Sequence, residues 1–344
     1  MPELKLYTVA DLRAWLLDGQ RVNGLDEKVI STSRAWAFLH NPYVQEADAV
    51  VAAIVEDGEL AAYSASFPDW LNGQRIWWCS TLYCYPNYIG RGYGMIVLGS
   101  LMESHQPELT FDRWGAPETV EICSHLGLKT TYTQRYVLSD RAINQDSFKG
   151  RLAYSKQTLQ KRLHRSHYSC GFDYSLRYAT YIDGEAYAFM SAHQGSDLWL
   201  REQQMLNWIL CYPFSQACVL HEKVADDAVF TGNSIEYGYC VVKVYVDQTL
   251  VGVYVLRRAN GSLAVVFLYF EHDSREVVFD SIVAHVKTIH PTSFVTENKE
   301  LYDFVKNQLW YPKCREESIS LSLPYDVFPN TTFTLQLGDG DSFA

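Results

Sequence analysis

The hydrophobic pattern along this chain changes period repeatedly, and the changes mark out short elements. Residues 49–55 and 60–67 are apolar runs of strand length, joined by Glu56-Asp57-Gly58-Glu59, whose Asp-Gly centre is a hairpin signal. Gly73 and Gln74 form the next turn, into an apolar, aromatic and Thr/Cys-rich strand over 76–85 that Pro86 stops. Apolar residues then recur at helical spacing over 95–104. A strand over 109–114, a helix over 117–126 and a strand over 130–138 follow. That helix has Pro117 at its first position and Gly127 just past its end, the asymmetry expected of helix termini. Upstream, Thr8 can cap a helix over 9–17, with Asp11 completing a capping box. Residues 33–40 read as a second helix that stops before Asn41-Pro42, because the residue before proline avoids helical geometry.

From about Ser147 the chain is first polar and helical, and then repeats the same plan with little residue identity. The helix over 201–213 holds Trp208 and ends at Pro213, as the helix over 33–40 holds Trp36 and ends near Pro42. Strands over 239–246 and 250–256 flank Asp247-Gln248-Thr249. A turn at Ala259-Asn260-Gly261 leads into an apolar strand over 263–270. A helix over 277–288, a strand over 294–296, a helix over 301–309 and a strand over 317–323 complete the order.

A chain of 344 residues, 48% of them hydrophobic, is comfortable for two packed cores. With 40 acidic against 29 basic residues the formal charge is −11, and the longest basic runs are the pairs Lys161-Arg162 and Arg257-Arg258, which argues against nucleic acid or an anionic membrane as partner. The N-terminal stretch lacks a leader pattern and no segment is long and uncharged enough for a span, so the expected location is cytoplasmic. Eight cysteines are scattered without a C-x-x-C pair, so neither zinc nor a disulfide framework is expected, and no metal.

The chemistry-bearing stretch lies between the strand over 76–85 and the helix after it, where Gly90, Gly92 and Gly94 alternate. A glycine turn lets backbone approach a ligand, and the helix that starts there offers unpaired N–H groups and the positive end of its dipole to an anion, naturally a phosphate. Met95 and Ile96 stand where a Walker loop needs Lys and Ser/Thr, and the G-x-G-x-G spacing is not the dinucleotide fingerprint. The stretch resembles the acyl-CoA loop of the Gcn5-related N-acetyltransferase (GNAT) superfamily, in which a strand ending in hydrophobic-x-Pro leads into Arg/Gln-x-x-Gly-x-Gly/Ala and a helix. Cys84-Tyr85-Pro86 matches that step and Ile89-Gly90-Arg91-Gly92-Tyr93-Gly94 that loop, except that Ile89 replaces the usual Arg or Gln. The element order over 1–140 is also that of the family.

The resemblance implies an α/β (α+β) protein of two tandem acyl-CoA N-acyltransferase-like domains. Each is a mixed, mostly antiparallel sheet flanked by helices, over 1–145 and 146–344. It implies main-chain contacts from Leu82 and Cys84 to the pantetheine arm, and loop amides over Asn87, Ile89, Gly90, Arg91, Gly92, Tyr93 and Gly94 to the pyrophosphate of acetyl-CoA. In the second domain the corresponding loop, residues 269–276, has no glycine and three carboxylates, so only the first is expected to bind the donor. The family often places a Tyr three residues before the Leu-Gly pair and an Asn opening that helix; here these positions are Cys123 and Ala116. Cys123 is therefore a candidate acid or nucleophile, with core packing the competing reading. Glu118, Glu121 and His125 on the same helix also suit its dipole. Glu271 and His272, with Asp273, are the candidate acceptor-amine site, against a solvated acidic turn.

The expected activity is acyl transfer, most simply acetyl, from acetyl-CoA to a small-molecule amine such as an amino sugar. A non-catalytic CoA-binding or scaffolding relative and an aminoacyl or longer-acyl transferase are the alternatives.

Overall fold

The computed structural model describes residues 1–22, 24–71, 73–113, 115–143, 146–166, 171–194, 201–211, 237–259, 261–324 and 336–339. The first half runs β1 (Glu3–Thr8), α1 (Val9–Leu16), α2 (Thr32–Leu39), β2 (Ala49–Glu56), β3 (Glu59–Leu71), β4 (Gln74–Cys84), α3 (Tyr93–Ser104), β5 (Leu109–Arg113), α4 (Pro117–His125) and β6 (Leu128–Ser139). The second runs α5 (Phe148–Ser166), β7 (Ser175–Ala179), α6 (Gly184–Ala192), α7 (Gln203–Cys211), β8 (Tyr237–Val246), β9 (Thr249–Ala259), β10 (Ser262–Phe270), α8 (Arg275–Ile289), β11 (Ser293–Thr296), α9 (Lys299–Gln308) and β12 (Lys313–Pro324). Short 3-10 turns, Pro86–Tyr88 and His272–Ser274, follow β4 and β10.

Local signals account for most of these elements. Thr8 caps α1 with the full reciprocal box to Asp11, and Asp57 and Gly58 turn the β2–β3 hairpin with positive φ at both residues. Pattern reading missed β1, β7 and α6, and it ended β3 too early, at Phe67. The strand continues through Pro68 because β2 pairs with it only as far as Ala65, so beyond that point β3 has a free edge where a missing N–H breaks no ladder bond. The expected strand end at Trp114 and helix end at Pro213 lie outside the described residues.

All twelve described strands form a single sheet in the order β1-β2-β3-β4-β5-β12-β6-β11-β10-β9-β8-β7. The order is a palindrome of the two halves with their last strands exchanged. The strand β12 lies beside β5, where β6 belongs by chain order, and β6 lies beside β11. The exchanged strands pair antiparallel over their whole length, residues 128–139 against 313–324, and so hold the centre of the sheet. On one face a single hydrophobic cluster spans both halves under α1, α2, α6 and α7: the Trp208 ring packs tilted against Phe67 with centroids 5.3 Å apart, and its indole N–H donates to the Ala37 carbonyl at 2.7 Å. On the other face α3 and α4 cover the first half and α8 and α9 the second, over separate clusters.

Each half contains one fork, where a parallel strand pair stops and its strands part. The strand β4 pairs with β5 only over Ile76–Cys79, and Ser80 is an extra residue opposite β3; β10 pairs with β11 only over 262–264, with Val266 extra opposite β9. Aligning the bulges makes Ser80 equivalent to Val266, Leu82 to Leu268, and Arg113 to Glu297.

The two forks are filled differently. In the second, residues 336–339 lie against β10: the Gly338 N–H donates to the Val266 carbonyl at 2.8 Å, and the Leu268 N–H donates to the Gln336 side-chain carbonyl at 2.6 Å. Gly338 is tied there by shape as well, because a Cβ would sit 2.3 Å from Cζ of Phe267. Buried charges fasten the tail. Arg113 donates to the Gln336 and Asp339 carbonyls and makes two bonds, of 2.6 and 2.7 Å, to Glu297; Arg201 bridges Asp69 at 2.9 Å, Asp339 at 3.3 Å and the Gly338 carbonyl. Asp69 also accepts from the Trp78 indole.

Two outcomes follow for stability. Asp69→Ala leaves Arg201 buried without its strand partner and is expected to cost about 3–5 kcal/mol in urea unfolding, with part of the loss recovered in the Asp69→Ala/Arg201→Ala double variant. Gly338→Ala overfills the fork and is expected to cost about 1–3 kcal/mol, with carboxypeptidase trimming of the tail accelerated relative to wild type.

Candidate acyl-donor site

The glycine turn stands where the first fork opens. Past Cys79, β4 keeps only β3 as neighbour, and in an antiparallel ladder alternate N–H and C=O groups then face the vacant side. One of these, the Ser80 carbonyl, lies 3.4 Å from Nη1 of Arg34, which enters from α2. The turn itself carries positive φ at Gly90 (84°) and Gly92 (77°), and Gly92 is the N-cap of α3 without any side-chain cap. The first amides of α3 therefore lack intrahelical acceptors, and the dipole adds partial positive charge there.

Gly94 serves a different purpose. Its Cβ would stand 3.0 Å from Cδ1 of Ile122 on α4 and 3.2 Å from Sγ of Cys84, so only glycine lets α3 start this close to the end of β4. The Gly94 N–H donates to the Cys84 thiol, whose pKa burial raises. Arg91 pairs with Glu56 at 2.5 Å and lies over the Tyr88 ring, and Tyr88 donates to Glu59, so both side chains are held on the β2–β3 hairpin. Asn87, Ile89, Gly90, Arg91 and Gly92 are exposed, Leu82 and Cys84 half-buried, and Tyr93 and Gly94 buried. These residues form one continuous surface from the end of β4 to the start of α3.

The opposite face of the fork is aromatic. Tyr63, Tyr83 and Tyr85 cluster with ring centroids 5.1–6.4 Å apart, and burial pushes the Tyr63 hydroxyl well above its ordinary value, with Arg34 opposing. None of these was singled out by pattern, although Arg34 inside an apolar helix was a visible anomaly.

The remaining candidates separate. Cys123 is wholly buried among Cys79, Leu98 and Leu128, and burial pushes its thiol up to about 12, so in this state it packs and presents no nucleophile. Glu118 and Glu121 are exposed, and the His125 ring contacts the Glu121 carbonyl at 2.9 Å within its own helix. Ala116 is the exposed N-cap of α4 with no side-chain cap. His272 lines a cavity of about 300 Å³ with His193, Leu268, Phe270, Arg275 and Glu300, all from the second half, and Glu271 is half-buried beside it. Arg275 and Glu300 pair across its mouth at 3.1 Å. The structure thus does not bring Glu271 or His272 together with the glycine turn: β5, β12, β6 and β11 lie between their strand and β4.

No family model and no curated protein sequence matches this chain. Solved structures do. A tandem GNAT protein from the clavulanic acid biosynthesis pathway aligns over 94% of this chain and 99% of its own, with TM-score 0.51 and 12% identity. A GCN5-related N-acetyltransferase from Anabaena variabilis aligns over 93% and 72%, with TM-score 0.50 and 9% identity. N-myristoyltransferase from Saccharomyces cerevisiae, solved with bound myristoyl-CoA, aligns over 94% and 78%, with TM-score 0.50 and 9% identity. At these identities the likeness is one of fold, and with the palindromic sheet and the paired forks it establishes that this chain has the GCN5-related N-acetyltransferase fold in tandem form.

Proposed function

We propose that the chain is an acyl-CoA-dependent N-acyltransferase that moves an acetyl group from acetyl-CoA to the amine of a small acceptor in the cytoplasm. The observation that carries this reading is the contrast between the forks. Among the described residues the first has no strand or tail between β4 and β5 beyond Cys79 and stands beside a glycine turn and a helix N-terminus without a side-chain cap, and the second is occupied by the chain's own residues 336–339. An extended thioester with a pyrophosphate at its far end suits the first. Strand amides take the pantetheine arm, and the turn from Asn87 to Gly94 takes the phosphates. The half-buried Tyr83 and Tyr85 across the fork, backed by the buried Tyr63, suit the flat face of a sugar ring, which makes an amino sugar the leading acceptor.

Among the described residues no helix is long and apolar enough to cross a membrane. The buried Cys123 thiol favours a second reading, a CoA-binding relative without turnover. Titration with acetyl-CoA, with desulfo-CoA and ATP as controls, tests binding; release of free CoA thiol in the presence of an amino sugar separates enzyme from binder.

The loop gives a sharper test. Gly92 has open space around its Cβ position but a left-handed backbone. Gly92→Glu is therefore expected to cost the fold only about 1 kcal/mol, while its carboxylate enters the phosphate site and weakens acetyl-CoA binding by about 100-fold or more, roughly 3 kcal/mol. Calorimetry on the wild type and the variant reads the loss directly, and wild-type affinity in Gly92→Glu would place the donor elsewhere.

A further inference from the structure

The first fork closes on a carboxylate with one oxygen that no described residue hydrogen-bonds. Asp112 is the last β5 residue paired with β4, in register with Cys79, and on its other side it faces Ser322 of the exchanged strand β12. Directly opposed residues point to the same side of a sheet, so Cys79, Asp112 and Ser322 share the face that α3 and α4 cover. Asp112 is 4% exposed, and its Oδ2 has no hydrogen-bond partner among the described residues. The space beside that oxygen is kept by Gly115, where a Cβ would come within 2.7 Å of it.

Among the described residues no cation acts on it. The titratable groups facing it are the Cys79 thiol from β4, which donates to the carboxylate, and the Cys123 thiol from α4. Ser322 on β12 hydrogen-bonds Cys123, and its hydroxyl lies 2.8 Å from that of Thr130 on β6; α3 adds Leu98. Burial raises the Asp112 carboxyl to about 6. Two other buried carboxylates, Asp69 and Glu297, each hold an arginine. A buried carboxyl with a vacant oxygen and no cation weakens the fold, which points to a use outside folding.

Position supplies the use. A donor anchored at the start of α3 and running back along Cys84 and Leu82 heads toward the apex of the fork, where Cys79 and Asp112 are in register. Resting on the acyltransferase reading above, we propose that Asp112 is the acid that protonates the departing sulfur of the acyl donor. The neutral amine attacks the thioester carbonyl and forms the C–N bond. As the C–S bond breaks, its electron pair goes to sulfur and the Asp112 proton follows it, giving the free thiol. The nitrogen loses its proton to solvent, which returns one to Asp112, so the transfer needs no other reactant.

The test uses sulfur itself as the variable. Difference infrared spectra of the full-length protein are recorded on adding CoA and, separately, desulfo-CoA, with Asp112→Asn, or Asp112→Ser if that variant does not fold, to assign the carboxyl band. The expected result is a protonated-carboxyl band, absent from the variant, that shifts with CoA and not with desulfo-CoA. Equal shifts, or no shift while CoA binds, would overturn the role of Asp112 alone; failure of wild type to bind either ligand would overturn the acyltransferase reading with it. With acetyl-CoA and glucosamine, Asp112→Asn is expected to lower thiol release about 100-fold, to remove the fall in rate that wild type shows as Asp112 ionises at higher pH, and to leave acetyl-CoA affinity within about twofold. Unchanged thiol release in the variant refutes the proposal; if glucosamine is no acceptor, the infrared comparison decides. A folding role predicts the opposite for stability. Because the folded carboxyl titrates higher than the unfolded one, its contribution is present in acid and lost as pH rises through about 6, so Asp112→Asn is expected to raise Tm by about 2–4 °C at pH 8 and not at pH 4.

Discussion

The antiparallel pair of β6 and β12 is the constraint on which the rest of this molecule depends. Each half supplies its last strand to the other, so neither fork has a complete wall without the partner half. The exchange places Ser322, from the end of the chain, against Asp112 in the first fork, and it brings the equivalent ends of β5 and β11 close enough for Arg113 and Glu297 to pair. Two halves joined only by a loop would be free to rotate relative to one another. Two halves that share a sheet and a hydrophobic cluster are not. The site geometry of the first half is therefore set partly by residues of the second.

Opening a fork in a sheet leaves backbone groups without partners, and such groups in a covered cleft must be satisfied by something. The molecule gives two answers to the same problem. In the second half Gly338 and Gln336 satisfy β10 permanently, with Arg113 and Arg201 holding the tail by its carbonyls. In the first half no described residue lies comparably against β4 at Leu82, and the glycine turn beside it leaves the helix terminus without a side-chain cap as well. The second half, whose corresponding loop has no glycine, is also the one whose fork is filled by residues 336–339.

Much of this was legible in the sequence, for reasons that are themselves physical. Capping at Thr8, the Asp57-Gly58 hairpin, Pro117 and Gly127 act within a few residues, so they survive in the chain as readable signals. The glycine turn was legible because each glycine answers a local demand, positive φ at Gly90 and Gly92 and close approach at Gly94. Strand exchange was not, since β6 and β12 read as strands whichever sheet they join. The tail was hidden for the same reason. Asp112 stands in between: a carboxylate inside the short strand Leu109–Arg113 is visible in the sequence, but only its register with Cys79 and Ser322 shows what it faces.

On the role proposed for Asp112, α4 can carry a cysteine where a proton donor would otherwise be sought. The sulfur leaving a CoA thioester has a proton affinity near that of an ordinary thiol, about 8.5. Cys123, pushed up to about 12, would have to give its proton uphill by roughly 3.5 units, close to 5 kcal/mol. Asp112, at about 6, gives it downhill. The features that hold Asp112 between an ordinary carboxylate and a thiol are the burial at the fork apex and the absence of a cation, both consequences of where β4 and β5 part. Proton transfer to sulfur at neutral pH favours an acid in that range, and among the groups gathered under the first fork, Cys79, Cys123, Ser322, Thr130 and Asp112, the carboxyl is the one whose environment has moved it there.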